Sequence, residues 1–108
     1  MSINSEFIVT AFIKETRKRF LDTYLIRRGD SFSGEIFLKL NNLNGLSKIY
    51  TYKKTKKHNP WEIYSSGNWE EDKQIKKKLN KILNIDQDIW IIELEDEKGS
   101  FPNFYNST

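Results

Sequence analysis

The run Asp86-Gln87-Asp88-Ile89-Trp90-Ile91-Ile92-Glu93-Leu94-Glu95-Asp96 constrains this chain more than any other stretch. Five large apolar residues fill the six positions from Ile89 to Leu94, and carboxylates cluster at Glu93, Glu95 and Asp96. Side chains along a strand alternate between faces, so Trp90, Ile92 and Leu94 share one face, and Ile89, Ile91, Glu93 and Glu95 share the other. Apolar residues on both faces require a strand that is central or covered on both sides near its start. Its acidic end must reach solvent or a cation, because an unpaired buried carboxylate is costly.

The rest of the chain supplies neighbours and cover for that strand. Residues 6–20 read as a helix, with Phe7, Ile8, Ala11 and Phe12 on one face, Lys14, Arg17 and Lys18 toward water, and Ser5 as N-cap. Strands are expected over 23–27, 35–41, 46–53 and 61–64. Asn44-Gly45 joins the middle pair as a tight hairpin turn, which needs positive φ. Asn68 and Glu71 have the spacing of a capping box, opening a helix that carries Ile75, Leu79, Ile82 and Leu83 as its apolar stripe to residue 85. The fold class is therefore α+β, in the order α-β-β-β-β-α-β, with a mainly antiparallel sheet covered by two helices.

At 108 residues the chain is one small domain, with residues 101–108 expected as a flexible tail. Three Trp, five Tyr and seven Phe provide enough apolar material for a core without staples. The absence of Cys excludes a disulfide framework and thiolate metal sites, and it suits a reducing compartment. The N-terminus has neither the basic nor the apolar region of a secretory signal, and no apolar run approaches a membrane span. The expected setting is the cytoplasm, with no membrane partner.

The net charge of +3 is unevenly spread. Residues 14–58 hold twelve Lys or Arg against four acids, whereas residues 86–98 hold six acids and one Lys. One surface is expected to be basic and another acidic. Fourteen Lys against four Arg, with many Ile and Asn, is also what AT-rich codons would produce, so net charge alone assigns no partner.

Ser5-Glu6-Phe7, Arg27-Arg28-Gly29-Asp30, Gly34, Lys39 to Gly45, Tyr50, Trp61 and the Asp86–Asp96 run with Gly99 together resemble a family of small bacterial proteins. This is the domain of unknown function 1491, found mainly in alphaproteobacteria. The resemblance covers nearly the whole chain. It implies a compact single domain and carries no catalytic residues or cofactor with it. The lysine-rich 53–60 loop and the tail after Gly99 depart from the family pattern.

Three sets of residues carry candidate chemistry. Glu93, Glu95 and Asp96 are an acidic strand end that could serve as an acid/base pair or bind a divalent cation through oxygen or, more simply, face solvent and pair with Lys39 or Arg27. Arg27 and Arg28 precede a Gly-Asp turn and have the donors to grip an anion. Tyr50, Tyr52, Lys53, Lys54, Lys56, Lys57 and Trp61 interleave aromatics with cations, as single-stranded nucleic-acid sites do. His58 is the only histidine and makes a poor zinc site alone. No phosphate loop, nucleophile elbow or His-based triad is present, and neither cofactor nor metal is implied.

The function expected is a non-catalytic interaction or adaptor module. It would bind a protein partner through the acidic strand end, with Trp61, Phe101 and Phe104 as anchors. The alternative is nucleic-acid binding through residues 50–61, and a further option is an enzyme using Arg27, Arg28 and Glu93. Neither the partner nor the oligomeric state is legible.

Overall fold

The alternation in the acidic strand dictates a three-layer arrangement, and the computed structural model, which describes residues 3–64 and 66–103, has it. The elements are α1 (Ser5–Lys18), β1 (Asp22–Arg27), β2 (Ile36–Asn41), β3 (Leu46–Tyr52), β4 (Trp61–Ile63), β5 (Glu70–Glu71), α2 (Asp72–Ile85) and β6 (Trp90–Glu95). The sheet order is β1-β6-β2-β3-β4, with β5 beside β3. All pairings are antiparallel except β2 with β6. The last strand in sequence is thus inserted between β1 and β2, which is why it is apolar on both faces.

The two faces have separate cores. Ile36, Leu38, Leu40, Trp90, Ile92 and Leu94 pack against Ile8, Val9 and Phe12 of α1. Phe37, Ile49, Ile89 and Ile91 pack against Ile75 and Leu79 of α2. On the α1 side, Trp61 and Phe101 complete a cluster of rings: Phe12 and Tyr52 lie 5.0 Å from Trp61, and Tyr50 lies 5.1 Å from Phe101. No helix among the described residues is long and apolar enough to cross a membrane.

Several boundaries differ from the sequence-based expectation for local reasons. Asn4, not Ser5, caps α1, its Oδ1 accepting the Phe7 N–H at 2.8 Å. Ser5 is buried instead, and its hydroxyl donates to the Gly34 carbonyl at 2.6 Å. This shifts the buried face to Ile8, Val9, Phe12 and Thr16, and Phe7 is exposed. The second helix begins at Asp72, because Glu70 and Glu71 pair as β5 with Ser47 and Leu46. A two-residue pairing has no hydropathy signature, which is why the spacing of Asn68 and Glu71 points to a capping box in sequence. The β2–β3 turn runs from Asn42 to Gly45 and is wider than a two-residue Asn-Gly turn.

Candidate functional site

Of the residues that carry the family resemblance, Arg28, Gly29, Asp30, Gly34 and the start of the Asp86–Asp96 run meet at one place in the fold, and their contacts there are structural. The Asp30 carboxylate accepts the Phe32 N–H, the Ser33 N–H and the Ser33 hydroxyl. Bonds from Ser33 and Phe32 hold its pKa below the usual carboxylate value. The Asp30 carbonyl accepts the Trp90 indole N–H at 2.7 Å. Gly29 and Gly34 both press against the Asp88 carbonyl, where a Cβ would collide with backbone. Arg28 pairs with Glu6 and stacks 5.2 Å above the Trp90 ring centroid. The 28–34 loop is thereby fastened to the start of β6.

The two arginines do not converge. Arg27 lies opposite Ile91 after a β-bulge and donates to the Gln87 carbonyl at 2.8 Å, whereas Arg28 lies over the Trp90 ring. Glu93 belongs to a third group. Register places it beside Lys39, whose buried ammonium pairs with Asp72 and, at 3.6 Å, with Glu93. Asn41 donates to the other Glu93 oxygen at 3.1 Å, and Ser47 to Asp72 at 3.3 Å. The Lys39 hydrogen bond lowers the Asp72 pKa. This cluster fastens the start of α2 to the sheet. The pairing with Lys39 offered as the simpler reading of Glu93 is therefore present.

Asp96 is 1% exposed, and its carboxylate is satisfied locally by the Phe101 N–H at 2.7 Å and the Ser100 hydroxyl. It caps the turn that returns the chain into the α1-side core, so Phe101, placed by the sequence at the start of a tail, is buried. Tyr50 and Trp61 are buried too, and burial raises the Tyr50 pKa. These side chains serve packing and present no open face to a base or partner. Phe104 lies outside the described residues. Of the basic loop, Lys54 donates to the Phe32 carbonyl and Lys56 pairs with Glu62 at 2.9 Å. Among the described residues no three His, Asp or Glu side chains cluster as metal ligands.

Glu95 is different, because it lines a groove of about 530 Å³ at the C-terminal ends of β2 and β6. The groove is walled by the α1–β1 corner (Arg19 to Asp22), by Leu43 of the β2–β3 turn and by residues 95–98. Sequence reasoning missed its two most informative residues, Phe20 and Leu43. The α1 terminus is a Schellman motif: Leu21 N–H bonds the Thr16 carbonyl and Phe20 N–H the Arg17 carbonyl, both at 3.0 Å. The residue between must be left-handed, a position that favours glycine, yet Phe20 holds φ at 60° with 95% of its surface exposed. Leu43 repeats the pattern, with φ at 61° and 53% exposure, and its N–H is held by the Asn41 side chain at 2.8 Å. A bulky residue at positive φ next to a helix end is the signal that could have been sought in sequence, had the helix terminus been known to the residue.

The left-handed strain gives a stability prediction. Phe20→Gly should stabilise the protein by about 1 kcal/mol, the relief of left-handed strain exceeding glycine's entropic cost, and raise the thermal midpoint by roughly 4 °C. A lower midpoint would show that the exposed ring contributes to the fold.

Comparison with known proteins fits this geometry. The family described as protein of unknown function DUF1491 matches residues 3–102. The chain belongs to the DUF1491 family. A crystal structure of a DUF1491 protein from Caulobacter crescentus superposes with a TM-score of 0.75 at 21% identity, covering 92% of this chain and 91% of that one. The solution structure of Atu0922 from A. tumefaciens gives a TM-score of 0.73 at 20% identity, covering 93% and 91%. At these identities the likeness is one of fold. No curated protein matches the chain. Within this DUF1491 member, then, one part of the recognised motifs builds the loop clasp around Trp90 and another the Lys39 cluster, and the groove beside Glu95 is lined largely by other residues.

Proposed function

We propose that this DUF1491 protein is a non-catalytic interaction module of the cytoplasm that docks a protein partner in the groove at the acidic end of its sheet. One observation carries the reading: Phe20 and Leu43, both exposed and both in a backbone conformation that disfavours them, line the same groove. Exposed apolar side chains in a concave site are the usual anchors of an interface. Keeping them at left-handed positions sacrifices stability that Gly or Asn would supply. Glu95 and Asp96 line this groove, Asp96 with its carboxylate held by the Phe101 N–H, whereas Arg27, Arg28 and Glu93 make their contacts elsewhere on the sheet. The enzymatic reading has less support, since Arg27, Arg28 and Glu93 serve three separate structural contacts.

The test is retention of a partner from native extract by the wild-type chain and by a Phe20→Gly, Leu43→Gly double variant. The variant should be at least as stable as the wild type and should lose the partner by tenfold or more, on the order of 1.4 kcal/mol. Equal recovery by both proteins would reject the groove as the docking site.

A second reading concerns the opposite end of the sheet. There Phe32, 74% exposed, stands with Tyr52, Lys53 and Lys54 around another groove. An exposed ring among lysines favours single-stranded nucleic acid, which would bind with strong salt dependence. Unchanged oligonucleotide affinity after Phe32→Ala with Lys53→Ala would remove this reading.

A further inference from the structure

We propose that the occupant of the groove is a short segment of another protein that carries an arginine or lysine beside an apolar side chain. The inference rests on the docking role proposed for that groove and adds the chemistry of its partner. The apolar wall is Phe20 and Leu43, and the charged side carries Asp22, Glu95 and Glu97. None of these three carboxylates has an ion-pair partner within 4.0 Å among the described residues. Of the two cations that line the groove, Arg19 already pairs with Glu15 at 3.3 Å, which leaves Lys98 facing three acids.

The neighbouring edge strand registers this negative field. Tyr24, whose hydroxyl donates to Glu95 at 3.4 Å, has its pKa raised chiefly by Glu95 and then by Asp22. A cationic segment would therefore be drawn in and oriented by the carboxylates. Exposed charges of this kind contribute little affinity singly, so the hold must come from an apolar side chain seated against Phe20 and Leu43. A partner with only one of the two features would lose either its orientation or its anchor. The protein's own lysine loop also offers cations, but its residues 53–55 line the groove at the opposite end of the sheet, so they could reach the acidic end only from a second copy.

The experiment is a titration of the isotope-labelled full chain with two blocked peptides, one alternating arginine and leucine, the other glutamate and leucine, followed by amide shifts. The arginine peptide should move the amides of Leu21, Leu43 and Glu97 and bind at least about tenfold more tightly than the glutamate peptide. That preference should fade in high salt and in a Glu95→Gln, Glu97→Gln variant. Equal or tighter binding of the glutamate peptide at the same amides would overturn the partner chemistry and leave the docking site standing. Shifts elsewhere, shifts unaltered by Phe20→Gly, or no shifts at millimolar peptide would overturn both. Shifts at these amides that depend on protein concentration without peptide would assign the groove to a second copy and overturn the proposal.

Discussion

Replacing Trp90 by alanine is expected to cost about 4 kcal/mol, close to the whole stability of a small domain. Trp90 is 1% exposed and sits where three parts of the chain meet. Its ring fills the α1-side core, its indole N–H holds the Asp30 carbonyl at 2.7 Å, and its face carries the Arg28 guanidinium. Truncation leaves a cavity and also releases the 28–34 loop. Trp90→Phe shifts the balance between the two effects: it keeps a six-membered ring, loses the donor and leaves a smaller cavity, for about 2–3 kcal/mol. Urea unfolding measures both. Hydrogen exchange of the Asp30 amide, bonded to the Asp88 carbonyl at 2.9 Å, should accelerate in Trp90→Phe if the loop is released. An alanine variant within 1 kcal/mol of wild type would contradict the account of this residue.

Lys39→Ala is expected to cost about 3 kcal/mol, the low end for breaking a buried ion pair. Removal of the ammonium strands Glu93, whose side chain is 17% exposed, while Asp72 at 36% can turn toward water and lose less. Replacing both Lys39 and Glu93 by leucine should recover most of the loss, because the desolvation problem then disappears with the charges. The effect has a pH signature. Asp72 has a folded pKa below its unfolded value of 3.8, so the stability it contributes is present above that pH and is lost as pH falls through the folded pKa. In Lys39→Ala the two values draw together, and this acid-side loss should shrink. Denaturation midpoints followed below about pH 4 test it. An acid limb equally steep in wild type and variant would show that Lys39 does not hold Asp72.

The candidate site was legible only in part. Glu95 is legible because two carboxylates at the end of an apolar strand must reach solvent or a cation. The same reasoning placed Asp96 at the surface, where the structure buries it under the returning chain with Ser100 and the Phe101 N–H. A carboxylate that caps a tertiary turn looks identical, in sequence, to one facing water. In sequence Phe20 reads only as a residue near a helix end, because its exposure depends on where α1 stops and on its own left-handed backbone.

What the sequence by itself determined was the material of the layers. Alternation in residues 89–95 required a strand covered on both faces, and the 3.6-residue spacing of Ile75, Leu79 and Ile82 required a helix to cover one of them. These are periodicities, and they follow from local geometry alone. Only the tertiary structure decided that β6 inserts between β1 and β2, that Lys39 lies beside Glu93, and that the α1–β1 corner and the β2–β3 turn meet beside Glu95. Strand order and the contacts between loops depend on residues far apart in the chain. Their pairing energies appear only when the whole sheet closes, so no window of sequence contains them.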